Sequence, residues 1–338
     1  MDIERTLYDK LHQRFPVNRL VTYLKEEVDN SYPLTIHSKR FIEEFSSIEE
    51  LNPYYAKNIV KVLTDNLHLF NEEEIIEINS INVIPDDELY LSEWLYEKYV
   101  KLLKVTKPDP TATDIIQYKF DEDIKIKIEE TPYIISAAGT TGFRTWEAAL
   151  FLTQYIIDNN LSDELSMENV LELGAGTGMV SIGLFKKYFN KINTLYVTDG
   201  DSQLIEGQLS KNFKLNLISK NEKIKLQKLW WNVDSVPNNL NLVIAADVTY
   251  DYSVIPDLCQ SITDCFKYSN DKKMVCLLAA TVRNVETLIL FEQKCNERSL
   301  EWEIISTTET DKIHEEVLVK NLLFKPLIAP IRIYKITR

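Results

Sequence analysis

The 338-residue sequence predicts an α/β fold, a doubly wound, seven-stranded, mostly parallel sheet preceded by an α-helical N-terminal domain. Three observations predict it. All eight glycines lie between Gly139 and Gly207, so the first 138 residues have none. That front segment shows apolar residues at helical spacing. From Val170 onward, seven strand-like runs alternate with helix-like ones, the order that builds βαβ units. At ~150 residues per domain, the length fits two domains.

In the front segment, Val17, Leu20, Val21, Leu24 and Val28 follow the i, i+3, i+4, i+7 rule for one apolar helix face. Further helices are predicted over 38–51, 54–69 and 87–105, separated by Pro33, Pro53 and Pro85, whose rings remove a donor and clash with the preceding turn. Thr106–Thr113 reads as a linker. The expected domains are therefore a helical domain over 1–105, a linker over 106–123 and a second domain over 124–338.

The second domain opens with Ile124, Ile126 and Ile128 alternating with charged residues, as in a half-buried strand. Strand Val170–Leu173 precedes a helix over 179–189, and Thr194–Thr198 precedes one over 202–217. Ile224–Leu229 and Leu240–Ala246 follow, then a helix over 255–268. Met274–Ala280, a helix over 284–298, and strands Glu301–Ser306 and Ile331–Ile336 complete the pattern.

Composition narrows the function. Formal net charge is −14, which argues against a nucleic-acid binder, since those need a basic face. Residues 1–130 hold 16 basic and 27 acidic side chains, a net of −11. That surface either meets a basic protein partner or is solvated for solubility. The four Cys and four His show no zinc or disulfide spacing, so no metal is expected. No apolar run is long enough to span a membrane, and the charged N-terminus is unlike a signal peptide. A cytoplasmic monomer is expected.

Glu172-Leu173-Gly174-Ala175-Gly176-Thr177-Gly178 runs from a buried strand into a predicted helix. Glycines there permit a tight turn and close approach of a ligand, and the helix N-terminus suits a phosphate or a carboxylate. Taken alone, such a loop favours a ligand over the alternative of a structural turn. Asp199 ends the second strand, where it either accepts from a ribose diol or caps the next helix. Met179 stands where a dinucleotide fingerprint wants glycine. An acid ahead of Gly-x-Gly-x-Gly is instead common in methyltransferases. Trp231 closes the third strand and either packs on an adenine or fills core. Trp230 alternates to the opposite side.

The fourth strand ends in Asp247-Val248-Thr249-Tyr250. This resembles the class I, seven-stranded methyltransferases of the protein-lysine group, whose signature there is Asp/Glu-x-x-Tyr/Phe. Within that group the chain is most similar to the elongation factor 2 lysine methyltransferases. The matching stretches are Gly139-Thr140-Thr141-Gly142, Thr145-Trp146-Glu147-Ala148-Ala149, the glycine loop, Leu229 with Trp231, Asp247 to Asp251 and Ala280-Thr281-Val282-Arg283-Asn284. The resemblance covers about 130–290. It implies a Rossmann-like methyltransferase domain with S-adenosylmethionine held by Trp146, Gly174, Ala175, Gly176, Asp199, Trp231 and Ala246. It also implies that Asp247 and Tyr250 are catalytic residues lining a lysine entrance. The implied substrate is a protein, elongation factor 2, docked partly by the acidic helical domain.

Rival readings are weaker. Amino methyltransferases of nucleobases or glutamine would carry Asn/Asp-Pro-Pro-Tyr after the fourth strand, and this chain has no Pro-Pro. A nicotinamide oxidoreductase conflicts with Met179. A non-catalytic cofactor-binding scaffold would not need the acid and tyrosine after the fourth strand.

Overall fold

The computed structural model describes residues 3–27, 34–35, 38–71, 90–131 and 142–338. The chain divides into two compact units, Met1–Gln117 and Tyr118–Arg338.

The first unit is built on α1 (Ile3–His12), α2 (Val17–Glu27), α3 (Ser38–Leu51), α4 (Pro53–Thr64) and α5 (Leu91–Leu102). Spacing predicts α2 and α3 to within a residue, because each has one apolar face to bury. Pro53 stands between α3 and α4 as expected and also opens α4: at the first helical position its missing N–H has no acceptor to lose. The helix predicted to 69 ends at Thr64 and tightens into a 3₁₀ turn, Leu67–Leu69. Pro33, Pro85 and residues 87–89 of the predicted 87–105 helix lie outside the described residues. Trp94 packs edge-on against Phe41 and Phe45 at 5.8 and 5.5 Å between ring centres.

The stretch after α5 is not loose within this unit. Lys57 Nζ donates to the carbonyls of Leu103 and Val105. The Asn52 amide donates to the Ile115 carbonyl at 2.8 Å and accepts from its N–H at 3.2 Å. A strand, β1 (Asp114–Lys119), begins within residues 106–123.

The second unit contains β2 (Lys125–Glu130), α6 (Glu147–Asp158), β3 (Asn169–Leu173), α7 (Met179–Tyr188) and β4 (Thr194–Asp199). Then come α8 (Ser202–Leu204), a π turn (Ile205–Leu209), α9 (Ser210–Leu215), β5 (Ile224–Lys228), β6 (Leu242–Ala246) and α10 (Ile255–Tyr268). The unit closes with β7 (Val275–Thr281), α11 (Val285–Glu297), β8 (Glu301–Thr307), α12 (Lys312–Val317), a second π turn (Leu318–Leu323) and β9 (Ile331–Thr337). Strands β3 to β9 form one sheet in the order β8-β9-β7-β6-β3-β4-β5. Only β9 runs against the direction of the other six strands.

Central strands such as β6, Leu-Val-Ile-Ala-Ala, are apolar without alternation because helices cover both faces of a parallel sheet. One core cluster joins Leu171, Val243, Ile262, Cys276, Phe291 and Tyr334. The helix predicted over 202–217 is realised as α8, the π turn and α9. This register lets Asn212 donate to the Thr177 carbonyl at 2.9 Å and accept from the Glu129 N–H at 2.7 Å. Helix α12 has no counterpart among the predicted elements.

From β3 the chain runs outward through β4 and β5, then returns to β6 on the other side of β3. Such a switch point opens a crevice at the carboxyl ends of β3 and β6, where doubly wound folds bind ligands.

Candidate active site

At that crevice lies a cavity of about 650 Å³. Its lining includes all nine residues singled out from sequence: Trp146, Gly174, Ala175, Gly176, Asp199, Trp231, Ala246, Asp247 and Tyr250. Strand register assembles them. Leu173 lies opposite Thr198 on β4 and Ala245 on β6, so the residues that follow each strand emerge side by side.

The loop after β3 turns through positive φ at Gly174 (+67°) and Gly176 (+54°). The Ala175 N–H donates to the Thr198 carbonyl at 2.8 Å, and the Gly176 N–H to Asp199 Oδ2 at 3.0 Å. These two amides are committed inside the protein, not left open for an anion. Asp199 Oδ1 accepts from the Asp201 N–H, and it is Asp201 that caps α8, accepting from Gln203 and Leu204. The capping alternative for Asp199 therefore falls away. Burial raises its carboxyl, against hydrogen bonds from the Gly176 and Asp201 N–H groups.

Both tryptophans after β5 line the cavity, correcting the expectation that only Trp231 could. Strand alternation stops with Lys228, so the turn beyond can bring both residues to the cavity. Trp231 lies 3.3 Å from where a Cβ on Gly174 would sit, and Trp230 lies 3.2 Å from the equivalent point on Gly200.

Asp247 follows β6 with φ +53°, a left-handed conformation that Asp tolerates better than most residues. Its Oδ1 accepts from the Thr281 N–H at 2.9 Å. Oδ2 accepts from Thr281 Oγ1 at 3.0 Å and from Arg283 at 3.2 Å. Three of about four acceptor sites are thus occupied within the protein. Val248 turns into the core, while Tyr250 is 57% exposed at the cavity's edge. Trp146 immediately precedes α6, with the guanidinium groups of Arg283 and Arg144 at 4.7 and 5.1 Å from its ring centre. Of the Gly139-Thr140-Thr141-Gly142 stretch, only Gly142 is described, and it lines the cavity.

Glu172, quoted in the glycine motif without a role of its own, is fully buried and lines the cavity, and its Oε2 has no hydrogen-bond partner in the protein. Burial pushes its carboxyl from the usual 4.5 up to about 8, against the pull of Ser181 and with the Asp199 charge adding to the rise. A carboxyl raised on folding holds its proton in the folded chain between these two values, so stability falls as pH climbs through that window. Glu172→Gln removes the titration. The variant is expected to melt at least about 5 °C above the wild type at pH 9, with the difference gone at pH 4, below the window. Equal differences at both pH values would contradict this.

A doubly wound seven-stranded sheet whose acid-led glycine loop lines the switch-point crevice defines a class, the Rossmann-like methyltransferases. Residues 122–302 match the family described as lysine methyltransferase. The chain is 46% identical to the protein-lysine N-methyltransferase EFM3 of Saccharomyces cerevisiae, over 99% of each chain. It is 34% identical to the EFM3 of Chaetomium thermophilum over 51% of this chain and 52% of that one. Identity to the human protein-lysine N-methyltransferase EEF2KMT is 28%, over 66% of this chain and 70% of the relative. The chain belongs to the lysine methyltransferase family and is an enzyme, a protein-lysine N-methyltransferase.

Proposed function

We propose that the cavity binds S-adenosylmethionine and that the enzyme methylates a lysine of elongation factor 2, as a cytoplasmic monomer. One observation carries the cofactor assignment: the glycine loop, Asp199, both tryptophans and an unpartnered buried carboxyl oxygen on Glu172 converge on one cavity. Glu172 Oε2 and Asp199 suit a ligand with an ammonium at one end and a ribose diol further along. Flat indoles suit an adenine. The substrate assignment rests on the Thr-Trp-Glu-Ala-Ala and Thr-Val-Arg-Asn stretches. No helix among the described residues is long and apolar enough to cross a membrane.

S-adenosylmethionine supplies a methyl group on a sulfonium, open to in-line attack by an amine. The protein must deliver a neutral lysine amine and hold it in line. A free lysine has a pKa of about 10.4, so neutralising it at pH 7 costs on the order of 4.6 kcal/mol. Desolvation in the cavity offsets part of that cost. Asp247 keeps one acceptor site for an amine proton, which orients the nucleophile without acting as a strong base. The Tyr250 ring offers a face to the methylated cation that leaves.

Titration calorimetry with S-adenosylmethionine tests the first half: one-to-one binding is expected, and no binding would overturn the cofactor assignment. For the second half, the acidic helical unit is proposed to steer a basic face of the substrate. Glu26, Glu43 and Glu50 are exposed there. Replacing all three by Lys is expected to raise KM for intact elongation factor 2 about tenfold at low salt, with cofactor affinity unchanged. An unaltered KM would favour a purely structural helical unit.

A further inference from the structure

Around Asp247 the protein has assembled more charge than either carboxylate needs. Arg283, in the loop after β7, donates to Asp247 at 3.2 Å and to Glu147 at 3.0 Å while lying over the Trp146 ring. Glu147, at the start of α6, is also met by Lys325 at 3.3 Å and Arg144 at 3.6 Å. Burial opposes its charge, but its own N–H and the three cations outweigh that and hold its carboxyl below the usual range. Over Asp247 and Glu147, three cations thus face two carboxylates, a net of +1, while Arg144 also faces the buried Glu130, whose carboxyl is raised by burial. Deeper in the same cavity lie Glu172 on β3 and Asp199 on β4. Lys228, Asp201 and Asp257 stand elsewhere on its lining.

We propose that Arg283 is a positioning residue that offsets the charge of Asp247, so that the lysine entrance orients an amine without favouring the ammonium. The inference rests on the reading of Asp247 as the acceptor at that entrance. A bare carboxylate there would attract the protonated lysine and raise its pKa, against the direction the reaction requires. Pairing with a guanidinium cancels the charge while Thr281 keeps the carboxylate aimed. Arg suits the post because its planar fork can serve two carboxylates and stack on an indole at once.

The network makes two substitutions act in opposite directions. Arg283→Met leaves a net of zero and should stabilise the substrate ammonium. Glu147→Gln leaves a net of +2 and should destabilise it. The acidic limb of kcat, which reports ionisations in the bound complex, is expected to move up by about one pH unit in Arg283→Met and down in Glu147→Gln. Arg283→Lys, which keeps the charge but not the fork, should shift the limb and the affinity ratio less than Arg283→Met does. At pH 7, Arg283→Met should lower kcat without raising KM for elongation factor 2. A readout that needs no protein substrate uses the sulfonium charge: the affinity for S-adenosylmethionine relative to uncharged S-adenosylhomocysteine should rise about threefold or more in Arg283→Met and fall in Glu147→Gln.

Limbs and affinity ratios that stay put, with both variants merely less active, would overturn the proposal. Should the wild type bind both ligands yet leave elongation factor 2 unmodified, the substrate assignment falls and the affinity ratio alone decides on Arg283.

Discussion

Asp247→Asn is expected to lower methyl transfer about 100-fold or more while weakening S-adenosylmethionine binding only about threefold, the fall that loss of one carboxylate from this network gives. Asn is the informative replacement because it tolerates the +53° φ that Asp247 adopts. It also keeps the side chain's length. An alanine would leave the part-buried Thr281 N–H without its acceptor, which costs about 1–3 kcal/mol, and would leave Arg283 held by Glu147 alone. That would confuse lost chemistry with lost stability. In Asn the NH₂ must face either Thr281 or Arg283, both of which donate, so one bond is lost and the side chain rotates away from its working position. A nucleophile displaced by about 1 Å loses on the order of 100-fold in rate. Full activity in a correctly folded Asp247→Asn enzyme would remove Asp247 from the reaction.

Gly174→Ala is expected to weaken S-adenosylmethionine binding about 30-fold, the equivalent of about 2 kcal/mol. A Cβ at that position would come within 2.7 Å of Val248 Cγ1 and 3.3 Å of the Trp231 ring. Val248 is buried and follows Asp247 directly, so its displacement moves the loop that ends β6. The +67° φ adds strain for any residue with a side chain. Calorimetry measures the affinity, and a melting curve separates it from unfolding. Unchanged affinity would mean that the close packing around Gly174 is needed for folding alone.

The sheet was readable in the sequence because parallel strands covered on both faces leave unbroken apolar runs, as in Leu242–Ala246. Glycine and acid positions were readable for a related reason. A turn through positive φ between strand and helix demands glycine, and the register of β3, β4 and β6 then fixes what stands beside it. What could not be read depends on contacts far apart in sequence. Arg283 meets Asp247 and Glu147, 36 and 136 residues away, only because β7 ends beside both β6 and α6. The Thr-Val-Arg-Asn stretch marked the residue but nothing local gave its partners. Trp230 was misplaced because alternation was carried past the end of its strand. Pro53 does separate two helices, and the same chemistry also lets it open the second of them. Glu172 was noticed as part of a motif, while its unpartnered oxygen is visible only once the core has closed around it.

The most direct test of the account is transfer of labelled methyl from S-adenosylmethionine to purified elongation factor 2, run beside a whole cytosolic extract. A single labelled lysine in elongation factor 2, lost with Asp247→Asn, is the predicted result. Label on another protein would contradict the substrate while keeping the enzyme. No label on any protein from an enzyme that binds the cofactor would contradict the account at its centre.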